Sequence, residues 1–265
     1  MKREGLSLRH ACRAMGISGS SVRYIAMPDR DGALKARIHQ ILRPGMGYRG
    51  AWAHLRQEFA PLNPKRVHRL WKELRLNVKP KTRKRRKGMP MPDSPNAPGE
   101  VWSLDFVHDT CLNGSRLKIL AVIDEYTREC LALEAATSIK APKVRQVLAS
   151  LFKDRGEPKY LRSDNGPEFV ADSLTVWLAI SGTQSRFIKP GSPWQNGTIE
   201  SFNGRLRAEF LNAELFYNLA DAQLKLTLWR NFYNQERPHS SLGYVAPATY
   251  AKNFEQTRMK EKLYS

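Results

Sequence analysis

Three strand-like runs in a row, followed by alternating helical and strand-like segments, narrow most sharply what this chain can fold into. Residues 101–107 alternate, with Trp102, Leu104 and Phe106 on one side and Ser103 and Asp105 on the other. Residues 117–123 are continuously apolar, and 130–135 form a third candidate strand. Residues 142–153 read as a helix, 160–162 as a short strand and 173–180 as another helix. Longer helices follow over 198–211 and 219–235. This order predicts an α/β fold, a mixed sheet flanked by helices. The sequence holds no internal repeat.

The part before residue 100 has a different chemistry. The 265-residue chain has a net charge of +19, and residues 1–99 hold 23 Lys+Arg against 6 Asp+Glu, whereas 100–265 hold 21 against 19. A basic portion joined to a near-neutral one points to a polyanion-binding arm on a separate working domain. Residues 7–26 read as two short helices around a turn at Gly16, with Ser18 capping the second. A further helical set spans 34–76. Asn63 caps its last member, Pro64 suits the first turn, and Val67, Leu70, Trp71 and Leu74 form one apolar stripe. Lys65, Arg66, Arg69, Lys72 and Arg75 take the remaining surface, which suits a helix lying in a major groove. An ordinary solvated face has the same pattern. Lys79, Lys81, Arg83, Lys84, Arg85, Arg86 and Lys87 then place seven cations in nine positions, ahead of Pro90, Pro92, Pro95 and Pro98. Such a segment buries no core, stays extended and can follow a phosphate backbone. The expected organisation is a helix-turn-helix-like segment (1–28), a helical DNA-binding arm (31–77), a basic Pro-rich linker (78–99), a catalytic core (100–218) and a C-terminal helix and tail (219–265).

Cys12, Cys111 and Cys130 are dispersed, with no CxxC pair and no His at zinc spacing. That argues against a disulfide framework or zinc knuckle and fits a reducing cytosol. The polar, basic start lacks an apolar signal core, and no run approaches the roughly 20 apolar residues of a membrane span. A soluble, intracellular protein without a membrane partner is expected.

Three acidic residues stand in unusual places. Asp105 lies inside an otherwise apolar strand, where a carboxylate is costly unless compensated. Asp164 directly follows a strand, in Arg162-Ser163-Asp164-Asn165-Gly166, and Glu200 opens a helix. Exactly 35 residues separate Asp164 from Glu200. Each has an ordinary reading alone: turn chemistry before Asn-Gly, a complement to the helix dipole, an acid on a solvated strand face. Their order and neighbourhoods together point to one acidic site.

Trp102-Ser103-Leu104-Asp105-Phe106, Ser163-Asp164-Asn165-Gly166-Pro167-Glu168-Phe169 and Glu200-Ser201-Phe202-Asn203-Gly204-Arg205-Leu206-Arg207 resemble the integrase core of retroviral integrases and many bacterial transposases. The 35-residue interval matches the D,D(35)E pattern of that superfamily. Val122-Ile123-Asp124-Glu125-Tyr126-Thr127-Arg128, Pro190-Gly191-Ser192-Pro193-Trp194-Gln195-Asn196-Gly197 and Arg237-Pro238-His239-Ser240-Ser241-Leu242-Gly243-Tyr244 extend the match. Residues 46–76 look like the helical arm of the second-frame (OrfB) transposases of the bacterial insertion-sequence family IS-three, which the whole chain resembles.

That resemblance implies an RNase H-like integrase core with a small basic all-helical N-terminal region. It implies metal-dependent DNA cleavage and strand transfer at insertion-sequence ends, with Asp105, Asp164 and Glu200 as the catalytic and metal-binding triad. Mg²⁺ or Mn²⁺, as two ions, is the implied cofactor. Hard ions of this kind stabilise attacking and leaving oxygens at phosphorus and invert the field of the carboxylates, which alone would repel DNA. The zinc module of retroviral integrases is missing, which sets the chain with the bacterial elements, in a bacterial cytoplasm at the nucleoid. Implied partners are element terminal repeats and target DNA, a multimer on DNA, and the upstream-frame product or its fusion. The chain begins in helical sequence near Ser7 and has no sustained heptad run, so end selection and pairing are expected from that fusion. The competing readings are a non-catalytic DNA-binding regulator from a decayed element and a metal-dependent nuclease on the same fold.

Asp124, Glu125 and Glu168 rank behind the triad as ligands. Asn203 and Arg207 share the face of Glu200 at i+3 and i+7 and are expected at DNA. Trp194, in a loop over 189–197, either stacks on a base or packs into the core. His239 is expected to organise a C-terminal turn.

Overall fold

A computed structural model of the chain describes residues 7–25, 29–77, 94–189 and 193–263, and the side chains of Pro193, Trp194, Lys262 and Leu263 fall outside the description. The basic run 79–87 lies outside it as well. The chain divides into two units, Met1–Gln40 and Ile41–Ser265.

In the first unit, α1 (Leu8–Ala14) and α2 (Gly19–Val22) are capped by Ser7 and Ser18, which accept from His10 N and Ser21 N. Gly16, at φ +63°, makes the turn between them, a conformation that costs a glycine little. α3 (Gly32–Ile41) buries Leu34 and Ile38.

The second unit opens with α4 (Tyr48–Leu55) and α5 (Pro64–Glu73). The helical set expected over 34–76 is therefore three helices. Asn63 accepts from Lys65 N at 2.8 Å, as its capping role requires. Val67, Leu70 and Trp71 are buried, while Lys65, Arg66, Arg69 and Lys72 are exposed. Trp52 donates its indole N–H to the Leu62 carbonyl at 2.9 Å and joins α4 to the chain entering α5.

The sheet contains β1 (Val101–Thr110), β2 (Arg116–Asp124), β3 (Cys130–Ala136), β4 (Tyr160–Ser163) and β5 (Gln184–Phe187), in the order β3-β2-β1-β4-β5. β1–β2 and β2–β3 are antiparallel, whereas β1–β4 and β4–β5 are parallel. Alternation divides two cores. Trp102, Leu104, Leu120 and Val122 face one layer with α6 (Ala141–Arg155) and α7 (Asp172–Ile180). Val107, Ile119, Ala121 and Ile123 face the other, with α8 (Gly197–Leu206) and α9 (Leu219–Gln235). β2 is thus buried on both sides from Ile119 to Ile123, which is why those five residues form an unbroken apolar run. The helix expected over 198–211 is α8 followed by a π-helical turn, Arg207–Leu211. Beyond α9, a 3-10 turn at Ser240–Leu242 leads into α10 (Pro247–Leu263), where a tail was expected. Among the described residues, no helix is long and apolar enough to cross a membrane.

The turn before α4 seats against the π-turn. Gly45 has φ +69°, and a Cβ there would lie 2.9 Å from Glu209 Cγ and 3.1 Å from the Ala208 carbonyl oxygen. Glu209 cannot swing aside, because Arg237 grips both its oxygens at 2.5 and 2.6 Å. Gly45→Ala should therefore cost on the order of 2 kcal/mol and lower Tm by roughly 4–8 °C. A thermal melt matching that of the natural chain would show that the turn is not held this way.

Candidate active site

Parallel pairing of β1 with β4 sets the first two acids. Ser103 registers with Arg162, and Asp105 and Asp164 each stand two residues further along. Side chains two apart on a strand share a face, so Asp105 projects with Ser103 and Val107 toward α8. α8 buries Ile199, Phe202 and Leu206, and Glu200 stands in its first turn, exposed on a neighbouring stripe with Asn203.

Asp105 accepts from the Phe106 N–H at 2.8 Å and from Asn203 Nδ2 at 2.7 Å. Burial pushes its pKa up from 3.8 to about 6, the Phe106 N–H opposes this, and the negative fields of Asp164 and Glu200 add to it. Asp164 Oδ1 accepts from Gly166 N at 2.9 Å, the Asx turn expected before Asn-Gly. Two sequence-distant carboxylates, Asp164 and Glu200, therefore bear on Asp105. Among the described residues, no three His, Cys, Asp or Glu side chains gather closely enough to hold a metal ion.

Asn203 and Arg207 both meet β1. The second amide atom of Asn203, Oδ1, is buried without a partner, and Arg207 Nη2 donates to the His108 carbonyl at 2.9 Å. The lower-ranked acids have structural partners. Asp124 accepts from Tyr126 N and Thr127 N, each at 2.8 Å, and from Gly99 N at 2.7 Å. Glu125 is buried with Arg162 and Ser103. Glu168 pairs with Lys118, which holds its carboxyl below the ordinary range and lies 4.0 Å from the Phe106 ring centre. His239 organises a turn: its N–H meets the Val245 carbonyl at 3.0 Å and Nδ1 lies 2.9 Å from Ser241 Oγ. Burial and the charges of Arg205, Arg237 and Arg128 push its pKa down to about 3, so it is neutral near pH 7. Arg162 is a residue that sequence reasoning passed over. A cation inside the apolar β4 is as anomalous there as Asp105 is in β1.

Integrase core domain families match residues 95–193, which contain Asp105 and Asp164, and residues 181–247, which contain Glu200. An HTH-like domain family matches residues 29–86. A protein of insertion element IS407 from Burkholderia multivorans is 39% identical over 259 residues, covering 95% of this chain and 93% of that one. The chain belongs to the IS-three family of insertion-element transposases. It is thus a DNA transposase of the integrase type, a polynucleotidyl transferase. An insertion element IS476 protein of Xanthomonas euvesicatoria is also 39% identical, over 94% of this transposase and 73% of its own length. Transposase InsD of insertion element IS2D from Escherichia coli is 26% identical, over 82% of this chain and 77% of that one. Among solved structures, the HTLV-2 integrase catalytic core domain in complex with magnesium has 14% identity and a TM-score of 0.47, covering 59% of this chain and 98% of that one.

The raised pKa of Asp105 has a consequence for stability. A carboxyl raised above its unfolded value stabilises the fold through its proton. That contribution is complete below about pH 4 and is lost as pH rises through about 6. Ionised Asp105 thus costs stability at neutral pH, on the order of 1–3 kcal/mol. Asp105→Asn removes the charge, and Asn203 can turn its unpartnered oxygen to the new amide. In EDTA at pH 7.5 the variant should melt a few degrees above the natural chain, with the gap narrowing by pH 5. A lower Tm at pH 7.5 would contradict this account of the site.

Proposed function

We propose that Asp105, Asp164 and Glu200 are the catalytic residues of this transposase and hold divalent ions, two of magnesium or manganese, for cleavage and strand transfer at insertion-sequence ends. The observation that supports this reading is that Asp164, just past β4, and Glu200, on α8, both raise the pKa of Asp105 on β1 by their charge. The donor set suits a hard cation: it is all oxygen, with no thiolate or imidazole among the three. An Asp105 carboxyl poised near 6 also gains from a positive neighbour. Bound ions supply charge stabilisation for in-line displacement at phosphorus.

The protein's own share is placement. The Phe106 N–H and Asn203 fix the orientation of Asp105. Glu200 and Asn203 ride on one helix, so seating α8 places both. DNA reaches this centre through Lys65, Arg66, Arg69 and Lys72 on α5, the cations from Lys79 to Lys87, Trp194, and Arg207, with Asn203 nearest the acids. In domain terms, 1–28 and 31–77 bind DNA, 78–99 links, 100–218 catalyses and 219–265 braces the core. Assembly as a multimer on terminal repeats and target DNA, with the upstream-frame product or its fusion selecting the ends, completes the reading.

Asp105→Asn, Asp164→Asn and Glu200→Gln should each abolish strand transfer while terminal-repeat DNA is still bound. Activity should require Mg²⁺ or Mn²⁺. Joining at the natural rate by any one variant removes that residue from the site, and full activity in excess EDTA refutes the metal mechanism.

A second expectation concerns the basic run. Replacing its seven cations, Lys79 to Lys87, by Gln in the full chain should weaken DNA binding and flatten the log–log salt slope by about 3–6, given about 0.9 per phosphate contact. An unchanged slope would place those cations away from DNA.

A further inference from the structure

The five residues 124–128, which begin at the last residue of β2 and lead toward β3, reach all three segments that carry the triad. Glu125 is 1% exposed and accepts from Arg162 Nη1 at 3.0 Å on each oxygen. The same carboxylate accepts from Ser103 Oγ. Arg128, held at φ +63°, donates from Nη1 to Thr198 Oγ1 at 2.9 Å. Ser103, Arg162 and Thr198 each stand two residues before a member of the triad: Asp105, Asp164 and Glu200. Asp124 closes the turn with its two N–H contacts at 2.8 Å, and its other oxygen takes Gly99 N, just ahead of β1. Tyr126, between them, meets the rings of Tyr250 and Phe254 on α10 at 6.0 and 5.2 Å.

A buried ion pair is a weak source of stability, because desolvation offsets the attraction, and apolar residues of similar size often serve the fold as well. What Glu125 adds is geometry. It locks Ser103 beside Arg162 from the face on which Asp105 emerges, and so fixes the spacing of β1 and β4 where the two aspartates leave them. Arg128 fixes the start of α8, on which Glu200 lies. Both oxygens of Glu125 are engaged by Arg162, so it acts from behind the site.

We propose that the turn 124–128 is a positioning element for the catalytic centre, with Glu125 aligning Asp105 and Asp164, and Arg128 aligning Glu200. The proposal rests on the triad reading given above. The decisive variant is the double replacement Glu125→Met with Arg162→Met in the full chain, which exchanges the pair for apolar side chains of similar length. Four quantities are read: Tm, affinity for terminal-repeat DNA, single-turnover cleavage rate, and Mn²⁺ affinity by electron paramagnetic resonance titration. Tm should stay within a few degrees of the natural chain and DNA affinity within about threefold. Cleavage and Mn²⁺ affinity should fall about 10–100-fold, as when partners behind metal ligands are lost. A folded double variant with both within about twofold of the natural chain overturns the proposal. Should the double variant fail to fold, Ser103→Ala and Thr198→Ala each remove one tie through a single hydroxyl. Both should lower cleavage and Mn²⁺ affinity several-fold at nearly constant Tm, and unchanged values overturn the proposal equally. Asp105→Asn is assayed alongside. If it still cleaves, the triad reading falls and this inference with it. If it is inactive while the turn variants behave normally, the inference alone falls.

Discussion

A carboxylate buried in the sheet, that of Asp105, is the constraint on which the rest of this structure depends. Burial first, and after it the charges of Asp164 and Glu200, raise the Asp105 carboxyl to about 6. The surrounding fold must therefore hold Asp105 in place, through the Phe106 N–H, Asn203 and the register of its strand. It does so with a sheet covered on both faces, whose central antiparallel pair extends from Trp102↔Asp124 to Thr110↔Arg116. Slipping β1 by one residue would turn Asp105 into the layer of α6 and α7 and bring Trp102 and Leu104 out of it. Register and chemistry are thus protected by the same hydrophobic burial.

The elements legible in the sequence are those that burial makes periodic. The alternation of Trp102, Leu104 and Phe106 against Ser103 and Asp105 was readable because each side of β1 meets a different layer. Asn63 and Pro64 announced α5 because unsatisfied N–H groups at a helix start demand a cap. β5 left no such trace: Gln184, Arg186 and Phe187 are exposed, and its order comes from backbone pairing with β4. α10 is mostly polar, and its signal was the i, i+4 pair Tyr250 and Phe254 that meets Tyr126. The triad acids stood out as charges in apolar or structured settings. Arg162 had the same signature, yet a cation near an acid reads as surface until Glu125, 37 positions earlier, is seen beside it. The contact of Asn203 with Asp105 was not legible, because a helix face does not reveal which strand lies opposite.

Within the second unit, α4 and the turn before it meet the segment 237–244, which the sequence marked as a turn and as part of the family resemblance. Trp52 of α4 lies edge-on to Tyr244, with ring centres 5.6 Å apart, and Arg56 Nη2 donates to the Tyr244 carbonyl at 3.4 Å. Arg43 stacks over Phe232 at 3.9 Å, while Gly45 abuts the π-turn that follows α8. The residues 237–244 are therefore a seat for α4 as well as a turn, and neutral, buried His239 shapes that seat from within.

The interval between Asp164 and Glu200 can be seen in another light. Nothing in phosphoryl chemistry asks for 35 residues there. The number is a path length, the chain consumed in leaving β4, building α7, turning at Gly182 with φ +79°, adding β5 at the sheet edge and returning to α8. What natural selection can act upon is where that excursion starts and lands. An added residue beside Gly182, the exposed point of the turn between α7 and β5, leaves both landings intact, whereas one inside β4 or α8 rotates an acid out of place. The spacing then belongs to architecture: it measures the chain needed to join one strand end to one helix start.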